Sequence, residues 1–238
     1  MQLYSLDNRV HWCKTQDGVV LLDLRTGQYH GLSDDDVQAL APKVRDWRDL
    51  SQRSHDSPAG DVSNALDLLI ESEMVSTESN LPPRPAAQTS HPREALQFDD
   101  ILEARYLSAP HVLNLTLAYF VVRLRLRVHS FGRIVNDATE RKRTRSPAKL
   151  DGLRNKADLI KLTRAYLYLR PAVFTARDKC LLDSLVLIEY LSRYNFFPEW
   201  VVGVQTQPFG AHSWVQAGEL VLNDNPEKVL SFTPLLVV

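Results

Sequence analysis

Cysteine is scarce in this chain of 238 residues, where Cys13 and Cys180 are the only two. Two thiols cannot staple a small secreted fold, and their wide separation in sequence argues for free thiols in a reducing compartment, so a cytoplasmic location is expected. Net charge is nearly absent as well, at a formal −1 from 28 basic and 29 acidic residues. That removes the whole-molecule attraction expected of a nucleic-acid or anionic-membrane binder. Long apolar runs are missing. The most lipid-like stretch, residues 112–122, falls well short of the roughly twenty residues a bilayer requires, and Arg123, Arg125 and Arg127 follow it. A buried helix is expected there. The first seven residues carry neither a basic stretch nor an apolar core, so no secretory signal is expected. No Walker-type Gly-rich loop occurs, which argues against ATP hydrolysis by the chain itself. His11 and Cys13 share a strand face, but two ligands are too few for zinc, and His30, His55, His91, His111 and His129 show no metal spacing. Neither a metal nor a cofactor is expected.

What is present is ordinary globular composition, 44% hydrophobic and 24% charged. Residues 8–32 carry short strand-like runs punctuated by Gly18 and Gly27. Ser33 before Asp34, Asp35 and Asp36 opens a helix, with its hydroxyl on backbone N–H groups and the acids at the positive end of the dipole. Pro42 shortens or kinks it. Asp61 caps a second helix with a stripe of Val62, Ala65, Leu66, Leu69 and Ile70, and Met74-Val75 forms one more strand. Residues 1–76 therefore form a small α+β, winged-helix-like module. Residues 77–92, with Pro82, Pro83, Pro85 and Pro92, read as a linker. Residues 93–238 form the second domain, with helices over 98–107, 112–128 and 150–169 before a run of strands. The polar, basic stretch 133–147 reads either as a contact for an acidic peptide or as a solvated loop, and the loop is the favoured reading.

Chemistry concentrates near the C-terminal end. Cys180 opens a strongly apolar helix, with Asp178 as a candidate N-cap. A thiol in the first turn feels the helix dipole, which favours thiolate. Read alone, Cys180 is either a nucleophile or an inert buried thiol. Asp183, three residues on, suits surface solvation. Strands are expected over 200–204, 211–216 and 220–223, with a three-residue turn at Ala217-Gly218-Glu219 that sets His212 directly opposite Asp224. Cys180, His212 and Asp224 then make a nucleophile, base and orienter set. The backbone N–H of Cys180 is one candidate oxyanion donor.

These residues carry a resemblance. Arg177-Asp178-Lys179-Cys180-Leu181-Leu182-Asp183-Ser184-Leu185 resembles the nucleophile segment of the lasso-peptide B proteins. Val202-Gly203-Val204 and Pro208-Phe209-Gly210-Ala211-His212-Ser213-Trp214-Val215 resemble the family's histidine segment, with Ser213 where alanine is expected. Gly218 with Val221-Leu222-Asn223-Asp224 resembles the segment carrying the acid. The first ~75 residues are similar to PqqD-like recognition domains. The matching pieces are Gln28-Tyr29-His30-Gly31-Leu32, the acidic helix start, and Ala65 to Ile70 leading to Met74-Val75.

The resemblance implies an α+β architecture in two parts: a PqqD-type domain, then a transglutaminase-like, papain-like cysteine peptidase domain of helices followed by an antiparallel sheet. It implies a Cys180, His212, Asp224 triad that cuts the leader from a lasso-peptide precursor. The leader would add as a strand beside Gln28, Tyr29, His30, Gly31 and Leu32, with Leu66 and Ile70 lining side-chain pockets. A separate ATP-dependent, asparagine-synthetase-like cyclase would be the partner that closes the ring. Two other classes stay open: a transglutaminase-like acyl transferase, and a non-catalytic scaffold that presents precursor peptides.

Overall fold

The computed structural model describes residues 3–50, 62–77, 83–96, 108–145, 152–175 and 179–238. After a short strand β1 (Ser5–Leu6), strands β2 (Val10–Thr15), β3 (Gly18–Asp23) and β4 (Gln28–Ser33) form an antiparallel sheet in the order β2-β3-β4. Side-chain alternation gives this sheet two apolar faces. Its registers set Cys13, Val20, Leu22 and Tyr29 on one face, and Trp12, Val19, Leu21 and Leu32 on the other. The second face is covered by helix α1 (Asp34–Leu40), a 3-10 turn (Arg45–Leu50) and helix α2 (Val62–Glu71), whose Val37, Leu40, Trp47, Ala65 and Leu69 complete one core. Strand β5 (Val75–Ser76) closes the unit by pairing with β1. As the sequence predicts, Ser33 caps α1, its hydroxyl accepting from the Asp36 N–H at 3.2 Å.

The remainder runs through strand β6 (Glu94–Ala95) and four helices: α3 (Ala109–Val128), α4 (Phe131–Arg145), α5 (Gly152–Val173) and α6 (Cys180–Ser192). Strands β7 (Glu199–Thr206), β8 (Phe209–Ala217) and β9 (Leu220–Val221), a short helix α7 (Pro226–Val229) and strand β10 (Thr233–Val237) finish the chain. The second sheet has the order β10-β7-β8-β9-β6, antiparallel except for the β6–β9 pair. The architecture is mixed α+β, with a small N-terminal sheet and C-terminal helices plus a sheet. Helix α6 is buried on most sides because its sequence is apolar all round, and it packs against α3, α5 and β8. The first face of the N-terminal sheet joins this larger core through Cys13, Val20 and Leu22, so all six residues of β3 are buried.

Several sequence expectations shift. The stretch 133–147, favoured as a loop, is helical as far as Arg145, because Ile134, Val135 and Ala138 supply a narrow buried stripe beneath good helix formers. The apolar stretch 112–122 is a half-buried helix: Leu115, Ala118 and Val122 turn inward, while Leu113 and Phe120 are 60% and 63% exposed. Among the described residues no helix is long and apolar enough to cross a membrane. The described part of the linker, 83–92, is tied down. Arg84 donates to the Asn8 and Val10 carbonyls at 2.8 and 3.0 Å, and its own carbonyl accepts from the Trp12 indole at 3.1 Å. The helix expected over 98–107 and the Asp61 cap lie outside the described residues.

Charge also holds the helices together. Buried Glu189 on α6 accepts from Arg125 of α3 at 2.7 Å, from Arg141 of α4, and from Arg193 at 3.4 Å. Glu189→Ala leaves three partly exposed guanidinium groups without their counter-charge. It is expected to cost about 3 kcal/mol, the lower end for breaking a buried pair, read as a lower denaturant midpoint at unchanged slope.

Candidate active site

Three elements converge on one point. Helix α6 places Cys180 in its first turn, β8 carries His212, and the segment after β9 carries Asp224. The α6 N-cap is Lys179, not Asp178, which lies outside the described residues; Lys179 makes no side-chain cap bond. Among the described residues no capping side chain competes for the first-turn N–H groups. His212 Nε2 lies 2.6 Å from Asp224 Oδ2, and the residue is 6% exposed. The Cys180 thiol lies close enough to His212 for each group to shift the other's proton affinity.

The electrostatics follow from these contacts. The hydrogen bond from His212 holds the Cys180 thiol below its ordinary value; burial works against this, and the Ser213 and Leu181 backbone N–H groups reinforce it. Burial disfavours the His212 imidazolium, but its hydrogen bonds to Asp224 and Cys180 outweigh that and raise it to about 9. Burial also opposes the Asp224 carboxylate, yet hydrogen bonds from His212, the Asn225 N–H and Lys228 hold it below the usual carboxylate range. Lys228 Nζ reaches the same Asp224 oxygen at 3.1 Å. The arrangement favours a thiolate–imidazolium pair oriented by a carboxylate. Cys13, the other thiol, is 1% exposed, and burial pushes it up to about 12.

The sequence register is off by one. The turn between β8 and β9 is two residues, Gly218-Glu219, with Gly218 at φ +61°, and Gln216 pairs with Val221 rather than Leu220. In that register His212 faces Asn225. Asp224 reaches the imidazole only because backbone pairing in this register ends at Leu222. The hairpin β7–β8 is longer than expected and turns at Gln207-Pro208, a cis peptide bond.

Further side chains frame the histidine. Phe232 and Trp214 pack on its ring at centroid distances of 5.0 and 6.2 Å, shielding the His212–Asp224 bond from water. Gly203 pairs with His212 across β7–β8, and a Cβ there would lie 2.8 Å from the Trp214 ring and 3.0 Å from Phe232. Only glycine leaves room for both side chains. Ser213, the departure from alanine, is accommodated because its hydroxyl accepts from the Trp200 indole at 2.8 Å.

The N-terminal sheet reaches this neighbourhood. Asp17 in the β2–β3 turn accepts from Thr206 and, at 3.0 Å, from Gln207. Tyr29 on β4 packs edge-on against Phe209 at 5.8 Å. Its phenol is pushed up by burial, with the Cys180 charge adding to the effect. The expected leader-binding residues divide accordingly. Gln28, Tyr29, His30, Gly31 and Leu32 lie on β4, bonded to β3 alone among the described strands. Ile70 is 40% exposed, but Leu66 is 9% exposed and belongs to the core instead, since its position in α2 faces Leu69 and Ala65 rather than solvent.

Asp183 reverses its expectation. It is 4% exposed, and its carboxylate accepts from Tyr166 at 2.8 Å, from Arg170 at 3.0 Å on both oxygens, and from Asn223 at 2.8 Å. The sequence signal was present, as Tyr166 and Arg170 are one turn apart on α5, but nothing local says that they meet α6.

Comparison with known proteins places residues 116–237, just over half of the chain, within the transglutaminase-like superfamily. The microcin J25-processing protein McjB of Escherichia coli is 44% identical over 50 residues, which cover 21% of this chain and 24% of that protein. No solved structure gives a significant match.

Proposed function

Because the chain belongs to the transglutaminase-like superfamily, we propose that Cys180, His212 and Asp224 form the catalytic triad of a cysteine peptidase that removes the leader from a lasso-peptide precursor. The observation that carries this reading is the close approach of the Cys180 thiol to an imidazole that itself lies 2.6 Å from the Asp224 carboxylate. Similarity to a protein named for processing microcin J25 supports the substrate class.

The thiolate of Cys180 attacks the scissile carbonyl, and the oxyanion is met by N–H groups at the α6 N-terminus, that of Cys180 first. The imidazolium of His212 gives its proton to the leaving amine, and the leader stays on Cys180 as a thioester. Neutral His212 then takes a proton from water, which attacks the thioester; the leader leaves as a carboxylic acid and the thiolate is restored. Asp224 fixes the ring and stabilises its cation throughout. The freed core amine is the group a separate ATP-dependent cyclase would join to a side-chain carboxylate.

The unit spanning residues 1–76 serves as the recognition domain in this reading, followed by 77–92 as the connection and 93–238 as the peptidase. The leader extends the sheet beside β4 through backbone hydrogen bonds, while Ile70 receives an apolar side chain. Burying that one side chain contributes about 1.5–3 kcal/mol. Ile70→Asp should therefore weaken binding of a synthetic lasso-precursor leader roughly 10- to 100-fold, measured by fluorescence anisotropy. The unsubstituted protein should cut the full synthetic precursor into two fragments whose masses sum to the precursor plus one water. Peptides joined to an amine would instead identify an acyl transferase, and binding with no cleavage a scaffold.

A further inference from the structure

Asp183 sits one turn beyond Cys180 on α6, and Asn223 stands immediately before Asp224. The two side chains meet at 2.8 Å, between Asn223 Nδ2 and Asp183 Oδ2, and Asn223 Nδ2 also lies 3.3 Å from Ser184 Oγ. Asn223 Oδ1 accepts the Val215 backbone N–H at 2.8 Å. That N–H belongs to β8, three residues past His212. The last backbone rung between these segments runs from the Leu222 N–H to the Val215 carbonyl at 2.9 Å. Beyond it a side-chain amide takes the place of the next backbone carbonyl, so the chain leaves the ladder one residue before the acid.

One amide thus bonds to both bodies that carry the reacting groups. Its oxygen holds the histidine strand, and its nitrogen holds the nucleophile helix through Asp183. Asp183 is itself fixed from behind by Tyr166 at 2.8 Å and Arg170 at 3.0 Å, both on α5. Removing Asn223 would leave a backbone N–H on β8 and a buried carboxylate oxygen without this partner, while the acid next in sequence lost its fixed point of departure.

We propose that Asp183 and Asn223 are positioning residues that dock the nucleophile helix against the histidine strand and release Asp224 from sheet pairing to meet His212. Neither touches the reacting atoms. The proposal rests on the catalytic reading of Cys180, His212 and Asp224, and it adds the reason that an acid one residue out of register still reaches the imidazole.

The test requires no identified substrate. Iodoacetamide alkylation of Cys180 is followed against pH in the full chain, with peptide mass mapping to separate it from buried Cys13. Among the described residues the charged groups facing the thiol–imidazole pair are Asp224 and Lys228, with the Tyr29 phenol nearby, and none is altered by the variants. In Asn223→Ala the midpoint of thiolate formation should rise toward the ordinary 9.0, so that the rate at pH 7 falls severalfold. Asp183→Asn, which keeps the shape and one acceptor oxygen, should move it in the same direction by less. A structural role alone would reduce the folded fraction, read by circular dichroism, and leave the midpoint of the folded protein where it was. That result, or loss of fold in both variants, overturns the proposal. An unactivated Cys180 in the unsubstituted protein would instead remove the catalytic reading on which it rests.

Discussion

Cys180→Ala is expected to abolish cleavage of a leader-bearing precursor while binding of the leader stays within about twofold. Removing a nucleophile that works with its base as a unit costs on the order of 10⁴ to 10⁶ in rate. The fold has little reason to respond. The side chain is half-buried at the start of α6, and the helix is anchored farther along by Leu182, Leu185, Val186, Tyr190 and the Glu189 ion pairs. The expected binding edge on β4 belongs to a different sheet from the one that carries His212. Cleavage assayed by mass spectrometry and binding by anisotropy separate the two functions. Retained proteolysis would remove Cys180 from the mechanism.

The second large effect comes from Asp224→Ala. Burial alone disfavours the His212 imidazolium, and its hydrogen bonds to Asp224 and Cys180 are what carry it up to about 9. Without the carboxylate, burial prevails, and the midpoint is expected to fall to the ordinary 6.5 or lower. The direction of the rate effect follows from the charge required. Proton delivery to the leaving amine needs imidazolium, which persists below the folded midpoint and is lost as pH rises through it. The unsubstituted enzyme should therefore hold its activity to about pH 9 on the alkaline side, with the acid limb set by a Cys180 thiol held below its ordinary value. In the variant the alkaline limb moves down by two units or more. At its optimum the rate should still fall on the order of 10⁴-fold, the loss seen when a triad loses its orienting acid. An alkaline limb that stayed near 9 would mean that some other group raises the imidazole.

The parts of the molecule read from sequence and those missed differ in a consistent way. Cys180, His212 and Asp224 were visible because residue type, order and spacing on apolar segments restrict what such side chains can do, and the structure brings the three together. The register that linked them was wrong by one residue. A two-residue turn at Gly218-Glu219 and a three-residue turn look alike in sequence, and the Val215 N–H bonded to Asn223 compensates for the difference. Asp183 was misread because solvation is the ordinary fate of an aspartate on a helix. Tyr166, Arg170 and Asn223 come from elsewhere in the chain to satisfy it. Leu66 and Ile70 share a helix stripe, yet which of the two stays exposed depends on how α2 is rotated over the sheet, and periodicity alone does not set that.

The N-terminal module shows the same limit from another side. Its strands and the Ser33 cap follow from local pattern. That its sheet is apolar on both faces follows from β3 only in retrospect. Val19 to Leu22 is a continuous hydrophobic run, the signature of a strand covered on both sides. One cover is the α1–α2 layer and the other is the helix-rich core, so the tyrosine of the expected recognition strand lies against Phe209, three residues from His212.

Everything depends on Cys180 existing as a thiolate beside a charged imidazole, and the chain supplies its own reference in Cys13. Both thiols can be alkylated with iodoacetamide at pH 7 and quantified peptide by peptide over time. Cys180 should react at least 100-fold faster than Cys13, and faster than a free cysteine peptide at the same pH. Equal labelling of the two, or a Cys180 as sluggish as its buried counterpart, would contradict the peptidase account outright.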